Sequence, residues 1–171
     1  MAKNTASITY RSHRPGDIGY ITYRHGLIYL QDRGWGFEVE KLVARLAAEF
    51  LENYDPTMER CWVAENKEGY LGSVMLIKDQ EQANTARIRL LLVEPKARGL
   101  GLGRSLVEQA IEFARSKGYS RVVLNTQSVL KPARKLYHSC GFRLTKGLGD
   151  GSFTAGSEGE IWEMALEGES V

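Results

Sequence analysis

The fold is decided by residues 90–104, which read LLLVEPKARGLGLGR. An apolar strand enters a short turn, three glycines follow an arginine at alternate positions, and a helix then begins. Glycines remove the side chains that keep a ligand away from the backbone, and a helix start offers free N–H donors at the positive end of its dipole. The stretch therefore predicts a binding site for a ligand that carries a pyrophosphate.

The spacing of these glycines argues against two common phosphate-binding loops. A nucleoside-triphosphate loop has lysine and then serine or threonine after its last glycine, whereas Gly103 is followed by an arginine. A dinucleotide-binding fold needs a different glycine spacing and an acidic residue at the end of the next strand, which here ends in Asn125-Thr126. A tight turn alone would not require three glycines and an arginine. A third candidate ligand is coenzyme A, whose pyrophosphate would lie on the amides of residues 98–104.

Bulk properties indicate a small globular protein. The 171 residues predict a single domain, with a core over residues 5–167 and flexible ends. A formal net charge of +2 is too small to indicate nucleic-acid binding. No apolar run resembles a secretory signal or a membrane span, so a cytoplasmic protein without a membrane partner is expected. Cys61 and Cys140 lack metal-ligand spacing, so free thiols and no metal site are expected.

Hydrophobic periodicity predicts the order strand, two helices, three strands, helix, strand, helix, two strands. The predicted strands are 8–11, 60–65, 70–78, 85–93, 121–126, 142–146 and 161–166, and the predicted helices are 18–30, 37–54, 103–117 and 131–140. This order predicts a mixed α/β domain with antiparallel hairpins first and crossover units through helices afterwards. Residues 147–159 are expected to form a glycine-rich loop, and the turn at residues 31–36 is expected to expose Trp35.

Two motifs resemble one protein family. Residues 93–103, VEPKARGLGLG, resemble the acetyl-CoA signature of the GNAT superfamily of N-acetyltransferases, Arg/Gln-x-x-Gly-x-Gly/Ala. Residues 133–142, ARKLYHSCGF, resemble the element Ala-x-x-Leu-Tyr-x-x-x-Gly-Phe of the same family. Residues 14–19 and 24–26 are most similar to GNAT domains that some bacteria fuse behind a MarR-type DNA-binding domain. The sequence has no DNA-binding half, so no regulator role is expected.

The resemblance implies a GNAT-like mixed sheet of about six to seven strands with about four helices, and an acetyl-CoA site. The strand that ends at Val93 would separate from the next strand, and the pantetheine arm would lie between them. The usual asparagine three residues before Ala133 is Leu130 here, so Ser128, Asn125 or Lys131 would replace it. The expected cofactor-binding residues are Leu91, Leu92, Val93, Arg98, Gly99, Leu100, Gly101, Leu102, Gly103, Arg104, Ser128 and Lys131. The two arginines are equally compatible with solvated surface charges.

Tyr137 is the candidate catalytic residue that the resemblance implies. A phenol with a pKa of about 10 is suited to protonating a departing thiolate, although a core tyrosine is the alternative. The general base stays open, because residues 87–90 are Arg-Ile-Arg-Leu where some members have glutamate or histidine. The candidates are Glu38, Glu65, His25 or a chain of water molecules.

The acceptor side is expected to form from the turn at residues 32–37 and the loop at residues 147–159. Tyr29, Trp35 and Phe37 are the candidate aromatic wall for an amine, with core packing as the alternative for Tyr29 and Phe37. The leading hypothesis is an acetyl-CoA-dependent N-acetyltransferase in which a primary amine attacks the thioester directly. The alternatives are a non-catalytic acyl-CoA-binding module and a nucleotide-binding protein. A homodimer is compatible with each of these hypotheses.

Overall fold

Seven strands and four helices make up the part of the chain that the computed structural model describes, residues 7–150 and 156–166. The strands are β1 (Thr9–Ser12), β2 (Arg60–Asn66), β3 (Gly69–Lys78), β4 (Thr85–Val93), β5 (Arg121–Gln127), β6 (Arg143–Asp150) and β7 (Glu158–Ala165). The helices are α1 (Asp17–Arg33), α2 (Phe37–Asn53), α3 (Leu102–Ser116) and α4 (Lys131–Ser139). The order of elements is the predicted one. The predicted flexible ends lie outside the described residues.

All seven strands belong to one sheet, in the order β1-β2-β3-β4-β5-β7-β6. β4 and β5 are parallel, and every other neighbouring pair is antiparallel. Parallel neighbours need a long crossover connection, which α3 supplies, whereas antiparallel neighbours can follow short turns. The predicted mixed α/β sheet of six to seven strands with about four helices is therefore confirmed.

Different helices cover the two faces of the sheet. α3 and α4 pack on one face, where Leu106 belongs to the same buried cluster as Ile88 and Leu124. α1 and α2 pack on the other face, over Val63 and Met75. Because side chains alternate along a strand, β2 and β3 each contribute residues to both clusters. The sheet is thus buried on both sides where β4 runs, which explains the apolar second half of that strand.

The start of α1 differs by one residue from its expected form. Gly16, in the left-handed region at φ 97°, precedes the helix, and Asp17 is the first helical residue instead of the cap. Its carboxylate accepts a hydrogen bond of 2.6 Å from the backbone N–H of Arg14 and pairs with the guanidinium of Arg11, also at 2.6 Å. The side chain of Asp17 therefore ties β1 to the first turn of α1.

The predicted glycine-rich loop at residues 147–159 was too long. β6 continues to Asp150, and β7 begins at Glu158, so only the residues between these strands are left for a loop, and residues 151–155 lie outside the described part. The pairing of β6 with β7 shifts register twice, and Gly147 and Gly149 lie at the second shift. Glycine in a strand marks bulges and close approach, and it also weakens the alternation by which a strand is recognised in sequence. Within the described ranges no helix is long and apolar enough to cross a membrane.

Candidate active site

The parallel strands β4 and β5 are paired over less than half of β4. Pairing runs from Thr85 with Arg121 to Ile88 with Leu124. Beyond that point β4 continues alongside β3, and β5 continues alongside β7. A wedge-shaped gap therefore opens between two central strands. Because buried backbone N–H and C=O groups require hydrogen-bond partners, the edges of this gap are suited to an extended ligand that has amide groups of its own.

A bulge in β4 lies at the point where the gap opens. Leu90 has φ 51°, in the left-handed region that residues other than glycine rarely adopt. The register of β3 with β4 passes from Met75–Arg89 to Ser73–Leu92, so Leu90 and Leu91 oppose a single residue of β3. Such a bulge bends a strand and increases its twist. Backbone strain of this kind costs on the order of 1–3 kcal/mol and is concentrated at functional sites.

The glycine loop follows β4 and presents bare backbone to open space. Gly99 and Gly101 both have φ 77°, and no atom lies within 4 Å of the place where a side chain would begin at either position. α3 starts immediately afterwards at Leu102, without a side-chain cap. The first amides of a helix have no acceptor within the helix, and they carry the positive end of its dipole. This loop can therefore receive an anion through main-chain groups alone.

Gly103 has a different role from the two glycines before it. A side chain there would begin 3.3 Å from Leu136 of α4 and 3.6 Å from Val93 of β4. The absence of a side chain lets α3 approach both elements closely. Two of the three alternating glycines thus face open space, and the third is required for packing.

The two arginines of the loop pair with protein carboxylates. Arg98 contacts Asp32, at the end of α1, at 2.6 Å. Arg104 contacts Glu108 at 2.8 Å and donates to the hydroxyl of Ser139 on α4 at 3.0 Å. These side chains are about half exposed, so each pair is of modest strength, about 0–1 kcal/mol. A bound phosphate can compete for either guanidinium.

Tyr137 lies on α4 with its side chain almost fully buried, at 6% exposure. Its ring packs edge-on against Phe142, with ring centroids 6.0 Å apart. Burial raises the pKa of the phenol above its ordinary value, and the nearby Tyr29 phenol raises it further. Tyr137 therefore keeps its proton at neutral pH, so it is available as a proton donor and not as a base. Tyr29, from α1, is brought close to Tyr137 although 108 positions separate them in the chain.

The expected aromatic wall forms only in part. Trp35 stacks on Tyr29, with ring centroids 5.1 Å apart and an interplanar angle of 16°. Phe37 is 86% exposed, so neither the wall nor core packing describes it. The expectation that Trp35 is exposed was wrong, because it is 6% exposed and packs with Leu90 and Leu130. A glycine-flanked tryptophan in a turn gave no sign that the loop after β5 would cover it.

The polar residues expected near the pantetheine have separate environments. The hydroxyl of Ser128 accepts from the N–H of Glu158 at 2.9 Å, and the Ser128 N–H donates to the Glu158 carbonyl at 2.8 Å. Asn125 accepts a hydrogen bond from Arg87. Lys131 is exposed at the first position of α4. Ser128 and Asn125 are thus engaged, whereas Lys131 extends into solvent beside the open end of β5.

The candidate general bases differ in exposure and in their hydrogen-bond partners. Glu38 is largely exposed and pairs with Lys41 at 2.7 Å, and Glu65 pairs with Arg11 at 2.9 Å on the first two strands. His25 is 2% exposed, and its Nδ1 lies 2.8 Å from the carbonyl of Ile21. Its Nε2 is buried and has no hydrogen-bond partner among the described residues. Burial lowers the pKa of His25 to about 4, so the imidazole is neutral at pH 7.

One buried ion pair was not predicted from the sequence. Arg24 of α1 holds Glu94 at the end of β4 through two hydrogen bonds, of 2.6 and 2.7 Å. The backbone N–H of Glu94 also donates to the Leu71 carbonyl on β3. The pair fixes α1 against the strand end that leads into the glycine loop. No local signal in the sequence connects two residues that are 70 positions apart.

The two motifs implied a mixed sheet whose central parallel strands separate beside a glycine loop and the start of a helix. The structure has this architecture. The model of the acetyltransferase (GNAT) family matches residues 26–142. The chain therefore belongs to this family. The part of the prediction that named the GNAT superfamily is confirmed.

Relatives of known name share this architecture or part of the sequence. N-acetyltransferase 8B of Homo sapiens is 33% identical over 123 residues, which cover 70% of this chain and 54% of the relative. N-acetylaspartate synthetase of Danio rerio is 39% identical over 88 residues, which cover 52% of this chain and 31% of that protein. The chain thus spans about half the length, or less, of these curated relatives.

A solved structure extends the likeness over almost the whole fold. Spermidine N-acetyltransferase from Vibrio cholerae, in complex with CoA and spermine, gives a TM-score of 0.70 at 19% identity. The match covers 92% of this chain and 95% of that chain. At this identity the likeness shows the fold alone.

Proposed function

We propose that the protein transfers an acetyl group from acetyl-CoA to a primary amine. The observation that carries this proposal is the gap between β4 and β5 directly beside a glycine loop whose Gly99 and Gly101 face open space. An extended groove of main-chain groups and an anion site at a helix start together suit an amide-containing arm attached to a pyrophosphate. Membership of the GNAT family supports the same assignment.

The cofactor is held largely by main chain. Residues Leu91, Leu92 and Val93 line the gap on the β4 side, where their N–H and C=O groups hydrogen-bond to the pantetheine arm. The amides of residues 99–104 bind the pyrophosphate. Arg98, Arg104 and Lys131 add positive charge around it. Bound acetyl-CoA supplies an activated acetyl group as a thioester.

Tyr137 is the proton donor of the reaction. The amine nitrogen bonds to the acetyl carbon, the bond from that carbon to sulfur breaks, and the phenol proton passes to sulfur. An N–H group of β4 near Val93 polarises the acetyl carbonyl during attack. The amine loses one proton to solvent, and the phenolate of Tyr137 regains one from solvent. Because burial raises the pKa of Tyr137, the phenol is protonated at the start of each turnover.

The acceptor is selected by the side of the gap that faces α1 and α2. N-acetylaspartate, the product in the name of one relative, is acidic, whereas spermine, bound to the solved relative, is a polyamine. The names of these two relatives thus point to ligands of opposite charge. The side chains that α1, α2 and β4 place beside the gap determine which acceptor this protein uses, and Tyr29 with the stacked Trp35 forms one of its walls.

Thiol release from acetyl-CoA in the presence of an amine panel tests the proposal. The wild type is expected to release free thiol with at least one amine, and Tyr137→Phe is expected to lower kcat about 100-fold with unchanged acetyl-CoA affinity. Tyr119→Phe is the matched control, since Tyr119 is also buried and its phenol donates to the Met58 carbonyl. Tight acetyl-CoA binding without thiol release for any amine would instead identify a non-catalytic acyl-CoA-binding module.

Three finer assignments complete the proposal. A homodimer is supported by the apolar side chains that α1 exposes, Tyr20, Tyr23 and Leu30, and light scattering of Tyr23→Lys tests it. Kinship with the MarR-fused domains is supported by residues 14–19 and 24–26. If the kinship holds, those domains should also have a glutamate at the position of Glu94, which pairs with Arg24 here. A cytoplasmic location rests on the sequence expectation and is tested by cell fractionation.

A further inference from the structure

Arg89 of β4 is a partly buried arginine whose ion pair with Glu49 is long. It lines a cavity of about 260 Å³ together with Glu49 and Phe50 of α2 and Ile77 of β3. Its side chain is 24% exposed, and the carboxylate nearest to it among the described residues is that of Glu49, at 3.6 Å. Glu49 is itself half exposed, so it neutralises the guanidinium only weakly.

Three arginines that are somewhat less exposed than Arg89 have closer counter-ions. Arg11, Arg24 and Arg87 have side chains that are 13–19% exposed, and each contacts a carboxylate at 2.6 Å. Burial lowers the pKa of Arg89 below its ordinary value, and the neighbouring Arg87 lowers it further. A partly desolvated cation whose counter-ion lies at 3.6 Å on a half-exposed side chain keeps part of its desolvation cost, and a bound anion in direct contact would offset it.

The position of Arg89 relates this cation to the reaction site. It is the first residue of β4 beyond the pairing with β5, and it precedes the Leu90 bulge. A strand advances about 3.3 Å per residue, so Arg89 and Leu91 are separated by roughly 7 Å along the gap. Ile88 belongs to the cluster under α3, and alternation directs Arg89 to the opposite face, under α2. The glycine loop and Tyr137 come from the α3–α4 side, which leaves the face of Arg89 for the acceptor.

We propose that the acceptor carries a carboxylate beside its amine, as an amino acid does, and that Arg89 binds this carboxylate. The proposal rests on the acetyltransferase function proposed above. The guanidinium offers two parallel N–H donors that match a carboxylate, and the bound pair neutralises the partly buried charge. Glu49 then turns to solvent, which its exposure permits. Asn125, exposed on the adjacent strand β5, leaves this face of the gap accessible.

Matched probes separate recognition of the carboxylate from recognition of the amine. Phenylalanine and phenylalaninamide differ only in that group, and spermine represents an acceptor without any carboxylate. The wild type is expected to show kcat/KM at least tenfold higher for phenylalanine than for its amide. Arg89→Gln is expected to abolish this preference by raising KM for the acid alone, and Arg89→Lys to keep part of it.

Arg143→Gln is the control, because Arg143 is an exposed arginine on the edge strand β6 of the same sheet. It is expected to leave the preference unchanged. An equal loss for acid and amide in Arg89→Gln, or a wild-type preference for spermine or for phenylalaninamide, overturns the proposal.

A binding measurement keeps this test separate from the test of acetyl transfer. Calorimetry with N-acetylphenylalanine, the product of the probe, needs no turnover. Binding that is lost in Arg89→Gln and kept in Arg143→Gln supports the carboxylate site even if no amine releases thiol. Absence of binding to the wild type, or equal binding to all three proteins, contradicts it even if acetyl transfer to other amines is observed.

Discussion

The two sides of the gap between β4 and β5 are built in different ways. On the α3–α4 side, the proposed cofactor site consists largely of main chain, with Gly99 and Gly101 open to solvent and the start of α3 behind them, and Tyr137 is the side chain that α4 adds. On the α1–α2 side, it consists of side chains from distant parts of the chain, such as Trp35, His25 and Arg89. A main-chain site needs only the correct backbone shape, so it tolerates change elsewhere. A side-chain site depends on the packing that brings its members together.

The largest expected effect is a difference in stability between a buried and an exposed aromatic residue on the α1–α2 side. Trp35→Ala is expected to destabilise the protein by about 3–5 kcal/mol, because it removes a buried ring that joins α1 to the loop after β5. Phe37→Ala, two positions away and 86% exposed, is expected to change the free energy of unfolding by less than about 0.5 kcal/mol. Urea unfolding of both variants measures the difference. Equal losses of stability in the two variants would show that the packing of Trp35 does not support the α1–α2 side.

A pH effect of up to about 3 kcal/mol is expected from His25. Burial lowers the pKa of His25 to about 4 in the folded protein. Between pH 6.5 and 4 the imidazole is therefore protonated in the unfolded chain and neutral in the folded chain. Stability is therefore unaffected above pH 6.5, falls as the pH drops towards 4, and stops falling through this group below that value. In His25→Leu, the free energy of unfolding should fall less between pH 7.5 and pH 4.5 than it does in the wild type. His138→Leu, at an exposed position, should follow the wild type.

The glycine loop should respond through binding instead of stability. Gly101→Val places a branched side chain at φ 77° in the space assigned to the pyrophosphate, and about a 100-fold loss of acetyl-CoA affinity is expected. Gly118→Val is the matched control, since Gly118 has φ 78°, is also uncrowded, and follows the other end of α3. Both variants should lose similar stability, and calorimetry should show weakened acetyl-CoA binding only for Gly101→Val. Equal affinities would refute the assignment of the loop.

The smallest effect concerns the ion pair that joins the two sides. Arg98→Ala is expected to weaken acetyl-CoA binding less than tenfold, because exposed charges near a phosphate contribute modestly in water. Asp32→Ala releases the same guanidinium and is expected to strengthen binding slightly. Titrations at low and high salt check this, since screening should reduce both differences. A loss greater than 100-fold in Arg98→Ala would mean that the side chain, and not the backbone, holds the pyrophosphate.

The sequence predicted the α3–α4 side more completely than the other side, for a physical reason. The spacing of Gly99 and Gly101 reports directly on backbone shape, and both adopt the conformation that glycine favours. The same pattern did not reveal that Gly103 serves packing, because contacts with Val93 and Leu136 depend on the tertiary fold. The family resemblance, not the residues alone, singled out Tyr137.

The other side was less accessible to sequence reasoning. Trp35 looked exposed in a glycine-flanked turn, and its cover comes from a loop almost 100 residues away. The pair of Arg24 with Glu94 joins residues with no common local pattern. β6 was predicted too short because its glycines interrupt the alternation of a strand. These features are set by long-range packing, which periodicity does not report.

Hydrogen exchange with and without acetyl-CoA tests the central claim most directly, because it reports on main-chain amides. Saturating acetyl-CoA is expected to slow exchange at residues 91–93 and 99–104 and to leave β1 and β2 unchanged. Full occupancy without protection of these two stretches, or protection confined to the cavity that Arg89 lines, would contradict a cofactor site built from the backbone beside the gap.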